Sequence, residues 1–344
     1  MRGSFQVPFF YHPGATAEVV INMRRAACLA MYMQRKMKKT IKHTVDNILD
    51  HFGYQLRKFD LQSKANAATL GKACAHIERF REIVSDPLNL LIRRVPSAGF
   101  LNDGGCVFLH NGNIVPLRGK FSYYSGFSDI LIINRGVHEP LEEFCFQEVL
   151  SRLDSKRPIM LELGAYWSHY SMWLKLRHPE ACCYMVEPDP IGLECGKHNF
   201  RLNGYEGTFI NEGVGASGFQ VDQFTASRTL GEIDILHADI QGAEVEMLRG
   251  GHRFLSHHGA KYIFISTHST DLHLEVIAQL KQYGYRIEIS SDVLNETTSL
   301  DGFVFASAPN SPAMFAGFYP IGRLEIAGAS TSQILKYLNS VNLD

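Results

Sequence analysis

Residues 159–190 read IMLELGAYWSHYSMWLKLRHPEACCYMVEPDP, and their pattern decides the fold. An apolar run of Ile159, Met160, Leu161 and Leu163 carries one acid, Glu162, and breaks at Gly164. A helix-compatible segment follows. A second apolar run, Tyr184–Val186, then ends on another acid, Glu187. This is the strand–loop–helix–strand opening of a doubly wound nucleotide-binding sheet. Its glycine lets the backbone turn tightly under a ligand, and the acid closing the second strand is placed to hold both ribose hydroxyls.

A dinucleotide fold wants G-x-G-x-x-G, so that a helix N-terminus can approach a pyrophosphate. Here the loop is Gly164-Ala165-Tyr166-Trp167-Ser168, with two bulky aromatics where that phosphate would lie. The loop suits a cofactor without phosphates, and S-adenosylmethionine is the candidate. Further along, Glu232–Gly251 reads EIDILHADIQGAEVEMLRGG. A buried strand over 233–238 delivers Asp239 to its C-terminal end, followed by Gln241, Gly242, Glu244 and a helix.

Together LELGAYWSHYSMW, VEPDP, ILHADIQGAEVEMLRGG and FISTHS resemble the FkbM-type methyltransferases, over roughly Gly136 to Ala306. The order and spacing of these motifs carry the resemblance. It implies use of S-adenosylmethionine and methylation of hydroxyl groups, with a sugar or glycan as the acceptor. A small-molecule natural product or a lipid-linked acceptor is the alternative within enzymes. A degenerate methyltransferase fold acting as a binding module is the alternative outside them. The sequence departs from the family twice: its glycine-rich first loop is reduced to one glycine, and D-x-E-G-x-E is D-x-Q-G-x-E.

The chain has 344 residues, long enough to bury one large or two modest cores. A hydrophobic share of 45% and a charged share of 20% are those of an ordinary globular protein. The formal net charge of −1 gives no global pull toward nucleic acid. Seven cysteines, odd in number and without a C-x-x-C pair, point to free thiols in a reducing compartment and so to a cytoplasmic protein. The best apolar N-terminal run, 17–33, is broken by Arg24 and Arg25, so neither a membrane span nor a secretory signal is read.

Residues 1–85 are expected to form an N-terminal helical extension, and Met37 is a plausible native start. Ile41, Val45, Ile48, Leu49 and Phe52 fall at helical spacing before Gly53, with Lys38, Lys39 and Lys42 on the other face. Such a helix packs on its own protein or, through 38–58, rests on a membrane surface. A second helix is expected over 65–84. Residues 86–135 switch to strand-like runs, CVFLH and DILIIN, between Asp-Gly-Gly, Asn-Gly-Asn and Ser-Gly turns, giving a small β-containing region. Phe121, Tyr123, Tyr124 and Phe127 there read as core, with a substrate platform as the alternative. The catalytic core is expected over 136–310, opening with a helix that turns Phe144, Phe146 and Val149 inward, and a closing segment over 311–344.

Within that core, strands are expected at 159–163, 183–187, 207–211, 233–239, 261–267, 284–290 and 302–307, with helices after the first five. The fold class is therefore α/β: a doubly wound, seven-stranded, Rossmann-like methyltransferase sheet whose last two strands form a hairpin. Its C-terminal strand ends gather Glu162, Glu187, Asp239 and His268. The expected cofactor-binding residues are Glu162, Gly164, Tyr166, Ser168, Glu187, Asp189, Asn211 and Asp239. Asp189 has the alternative of fixing its turn. Methyl transfer to a hydroxyl needs a group to take the proton, and His268 with Asp239 is the expected catalytic pair. No metal is assigned, because Gln241 stands where a carboxylate would complete a hard-cation site. Glu244 reads equally as a helix N-terminal charge, His237 as core, and His257, His258 and His273 as surface.

Overall fold

The computed structural model describes residues 78–124, 127–294 and 296–341, all within one unit, Ala68–Asp344. The expected basic helix before Gly53, and all but the end of the one over 65–84, lie outside the described residues. A short hairpin, β1 (Cys106–Phe108) with β2 (Ile114–Pro116), stands apart from the main sheet. The run DILIIN, expected as a strand, is instead the single helical turn α1 (Ile130–Ile133). Ile130 and Leu131 are buried there while Ile133 is exposed. A four-residue apolar run carries no period long enough to separate helix from strand.

The main sheet contains β3 (Ile159–Leu163), β4 (Cys182–Val186), β5 (Thr208–Ile210), β6 (Ile233–Ala238), β7 (Ala260–Thr267), β8 (Arg286–Ser291) and β9 (Gly302–Ser307). Their order is β5-β4-β3-β6-β7-β9-β8. The first five strands run parallel, and β9 inserts antiparallel between β7 and β8. These strands read as unbroken apolar runs because helices cover both faces of a parallel sheet. All six residues of β6 are buried. Alternation survives as a division between two cores: on β7, Tyr262 and Phe264 enter one hydrophobic cluster, Ile263 and Ile265 the other.

The helices that follow α1 are α2 (Pro140–Arg152), α3 (His169–Arg177), α4 (Pro190–Leu202), α5 (Val221–Ser227), α6 (Glu244–Gly250), α7 (His252–Ser256), α8 (Thr270–Gln282), α9 (Arg323–Gly328) and α10 (Thr331–Ser340). Local chemistry sets their starts. Pro190 sits in the first turn of α4, where its missing N–H costs nothing, and the Asp189 carboxylate accepts from the amides of Ile191 and Gly192. Ser269 caps α8 in the same way through Leu272 N. The direction of strand progression reverses between β3 and β6, and a crevice opens there beyond the C-terminal strand ends. No helix among the described residues is long and apolar enough to cross a membrane.

Phe264 lies at the centre of one core, fully buried, with ring centroids of Phe305 and Phe146 at 4.8 and 5.4 Å. Truncation there removes a large apolar group and leaves a cavity its sheet-bound neighbours cannot close. Phe264→Ala is expected to destabilise the protein by about 3–5 kcal/mol. The check is a urea unfolding curve whose midpoint falls while its slope is unchanged.

Candidate active site

At the end of β3 the backbone enters a left-handed turn at Gly164, with φ of +72°. A Cβ built there would stand 1.7 Å from the carbonyl oxygen of Asp239, so only glycine lets these two strand ends meet. The junction is closed by Asp239 N donating to Leu163 O at 2.9 Å. Beyond it the loop satisfies its own amides. Gly164 N and Ala165 N both donate to Val186 O, at 2.8 and 3.0 Å, and Ser168 N donates to Ala165 O at 2.5 Å. Tyr166 N donates to Glu187 Oε2 at 3.0 Å. The amides of Gly164, Ala165, Tyr166 and Ser168 are thus engaged and do not form a cradle for a phosphate.

Glu187 is the hinge between the two turns. Its other oxygen accepts from Asp189 N at 2.9 Å. Asn211 Nδ2 donates to the carbonyls of Glu187 and Pro188, at 2.8 and 2.9 Å. Burial raises the Glu187 carboxyl above its ordinary range, and the amides of Asp189 and Tyr166 pull part of that back. Glu162 is buried more deeply, accepts from Ser171 N at 3.2 Å, and is likewise raised by burial.

These residues line a cavity of about 560 Å³, within the size range of small-molecule sites. Among the described residues its wall carries six carboxyl groups, of Glu139, Glu162, Glu187, Asp189, Asp239 and Asp301, and no lysine or arginine. The aromatic pair Tyr124–Tyr166 forms one side, with ring centroids 4.8 Å apart.

A second group meets the cavity at the ends of β6 and β7. His268 Nδ1 lies 2.6 Å from the Oε1 of Glu244, which is fully buried and also accepts from Gly242 N at 3.0 Å. His268 Nε2 is 3.2 Å from Asp239 Oδ1, 3.5 Å from Asp301 Oδ1 and 2.9 Å from the Gln241 amide. Asp301 arrives because β9 is antiparallel. The residue before its first strand position therefore falls at the edge where β7 ends, Thr267 pairing with Gly302. Burial opposes charge on His268, but the hydrogen bonds to Asp239 and Glu244 outweigh it and raise the imidazole to about 10. Burial, with Glu139 nearby, raises the Asp301 carboxyl to about 7, although His268 opposes this. The group that titrates near neutrality is thus Asp301, in place of the histidine expected from its reference value. Asp239, His268 and Asp301 each offer a ligand atom within 4.8 Å of the others, so they could also hold a divalent cation.

Of the expected site residues, Glu162, Gly164, Tyr166, Glu187, Asp189 and Asp239 share the cavity wall. Asp189 also takes its alternative role as a helix cap. Ser168 is placed otherwise: it is fully buried at φ +58° beneath the loop, where a Cβ on Gly196 would stand 2.4 Å from its Oγ. Asn211 braces the Glu187 turn from behind, and His268 reaches the cavity through Asp239, Gln241 and Asp301. His273, expected at the surface, is buried between the hydroxyls of Thr267 and Ser290, each at 2.9 Å. His237 is buried as expected, yet it also forms part of the wall and binds Glu142 at 2.6 Å. Tyr123 and Phe127 are core, whereas Tyr124 is half exposed, and all three line the cavity. Asp301, Glu139 and Tyr124 were not anticipated. The inward acids of α2 left one trace, Glu139, Glu142 and Glu143 at helical spacing beside apolar neighbours.

A seven-stranded sheet of this order, with an acid-walled crevice at its reversal point, is the frame of a doubly wound methyltransferase. Residues 138–287 match the model of the methyltransferase FkbM domain. Similar solved structures include the precorrin-6y C5,15-methyltransferase of Geobacter metallireducens GS-15, at 15% identity over 47% of this chain and 87% of that one, with a TM-score of 0.34. M. capricolum TrmK in complex with S-adenosyl-homocysteine matches at 14% identity over 56% of this chain and 80% of that one, TM-score 0.35. Aeropyrum pernix fibrillarin with natively bound S-adenosyl-L-methionine matches at 17% identity over 47% and 75%, TM-score 0.33. No curated protein matches the chain at a significant level.

The Gly164 contact supplies a direct test. Gly164→Ala must push the β3 and β6 ends apart as well as adopt a left-handed backbone, which alone costs about 1–3 kcal/mol. The variant is expected to unfold at lower denaturant than the wild type and to lose ligand binding in the crevice. Wild-type stability in the variant would contradict the close approach.

Proposed function

We propose that the protein is an S-adenosylmethionine-dependent O-methyltransferase acting on a hydroxyl of a sugar or glycan. The observation that carries the cofactor is the wall of six carboxyl groups, without lysine or arginine among the described residues. Such a wall repels phosphate and attracts a cation, and the sulfonium cofactor is cationic. The donor set fits its other parts: the Glu187 carboxylate suits a ribose diol, and the Tyr124–Tyr166 side suits an adenine ring. The S-adenosyl ligands of the TrmK and fibrillarin structures accord with this choice. The hydroxyl acceptor follows from the family resemblance and from the proton-accepting cluster on the far side.

The cofactor supplies the methyl group as an electrophile on sulfur. The protein supplies alignment and a base. Glu162 holds the first turn of α3 through Ser171 N, and Gly164 keeps the loop against β6. Above its ionisation Asp301, beside Asp239, is a carboxylate able to accept the hydroxyl proton of an acceptor. His268, fixed from behind by Glu244, carries positive charge in the cofactor-free protein and holds the two aspartates in place. The same atoms permit a second reading, in which a divalent cation lowers the acidity barrier of the hydroxyl.

Glu187→Ala is expected to weaken S-adenosylhomocysteine binding by about 1.5–3 kcal/mol, the range for hydrogen bonds to a charged group. An unchanged dissociation constant by calorimetry, in a folded variant, would refute the ribose assignment. Labelled cofactor offered with nucleotide sugars and oligosaccharides should transfer label to at least one hydroxyl acceptor, and failure across carbohydrates with transfer to another class would reject the acceptor.

A carboxyl raised to about 7 is protonated below that value and cannot take a proton. The pH profile of kcat/KM should therefore rise through an ionisation near neutrality that Asp301→Asn abolishes. Added magnesium or manganese should leave kcat unchanged, while a large increase would favour the metal-assisted reading.

A further inference from the structure

We infer that His110, Glu143 and His169 bind a divalent transition-metal ion of the zinc type, at a buried site behind the cavity wall. The three come from separate parts of the chain: the residue pair after β1, the first turn of α2 and the first residue of α3. All are essentially inaccessible, at 0%, 0% and 1% exposure. One ligand atom from each lies within 4.8 Å of the other two.

Their hydrogen bonding leaves a gap of the right kind. His110 Nδ1 faces the carbonyl of Arg93 at 3.4 Å, a partner for a proton on Nδ1 that would leave the Nε2 lone pair for a metal. His110 Nε2 lies 3.1 Å from Glu143 Oε2, yet neither atom is in hydrogen-bond geometry with a partner. Glu143 Oε1, in contrast, is fully occupied. It accepts the amides of His138 and Glu139, at 2.9 and 3.3 Å, and lies 2.5 Å from His138 Nδ1. His138 is thus the ion-pair partner of Oε1, while Oε2 lies beside His110. His169 is the odder residue still. Neither of its ring nitrogens is hydrogen-bonded, and Nε2 sits 3.7 Å from Glu143 Oε1.

Buried nitrogens and carboxylate oxygens in folded proteins are almost always partnered. An imidazole with neither nitrogen partnered, facing a second imidazole and a carboxylate, is an arrangement that a bound cation would complete. Donors on a tetrahedral ion with bonds of about 2.0–2.1 Å stand roughly 3.3 Å apart. The His110 Nε2–Glu143 Oε2 separation of 3.1 Å is close to that, and the His169 ligand atom lies within 4.8 Å of the other two. Two imidazoles and one carboxylate suit a borderline ion, and three protein donors leave a fourth position for water. Access exists on both sides, since His169 lines the main cavity and His110 lines a separate one of about 420 Å³. The ion would pin the start of α3, and with it the glycine loop, to α2 and the β1–β2 hairpin.

The test uses the full chain expressed with added zinc and dialysed exhaustively. Elemental analysis should find about one zinc per chain. Cobalt substitution should give the intense visible absorption of a tetrahedral site. His110→Ala and His169→Gln should lower metal content about tenfold or more, whereas His268→Ala should retain it. Stripping with a chelator should lower the melting temperature by several degrees, restored by zinc alone. Wild-type protein that retains no metal and gives no cobalt spectrum would overturn the inference. So would metal kept in both His110→Ala and His169→Gln but lost in His268→Ala, which would put the ion on the other cluster. If either variant fails to fold, the wild-type stoichiometry and cobalt spectrum decide.

Discussion

The contact between Gly164 and the carbonyl of Asp239 is the constraint on which the rest of the site depends. Two neighbouring parallel strands end in turns that occupy the same space unless one of them carries no side chain. The single glycine kept in the first loop is the one this packing requires. The other positions are released because their amides bond to Val186 O and Glu187 rather than to a ligand. The loop can therefore carry Tyr166 and Trp167 where a phosphate-binding loop must stay bare. The same contact fixes Asp239 relative to Glu187 and brings two functional ends of the cavity into one rigid frame.

Around that frame the protein manages an unusual concentration of acid. Glu142 is neutralised in place by His237 and the Ser266 hydroxyl, at 2.6 and 3.0 Å. Glu143 is held well below the usual carboxylate range: burial alone would raise it, and His110 and His138 together reverse that. Glu244 is answered by His268. Glu142, Glu143 and Glu244 behind the wall thus each have an imidazole partner, whereas Glu187 and Asp189 on the wall are held by backbone amides. Buried acids need such partners, and histidine provides one whose charge adjusts to its surroundings.

Much of this was legible in the sequence, and the part that was not has a physical explanation. The seven strands of the main sheet stand within two residues of where apolar runs place them, because burial on both faces writes itself as composition. Gly164, Glu187 and Asp239 were readable since each breaks such a run at a strand end. Asp301 was not, because an acid in a turn before a strand is unremarkable until antiparallel insertion turns that end toward the cavity. The acids of α2 face inward although helix-start acids ordinarily face water, so their partners were not readable. DILIIN failed for the opposite reason, a run too short to show a period.

The carboxylate wall carries a consequence for turnover. Transfer of a methyl group from a sulfonium leaves a neutral thioether, so the ligand loses its positive charge in the very step the site promotes. A wall that attracts the charged form holds the spent form less tightly. With S-adenosylmethionine as the ligand, the electrostatic attraction that loads the cavity would switch itself off once the chemistry is done, and product release would need no separate opening motion to begin.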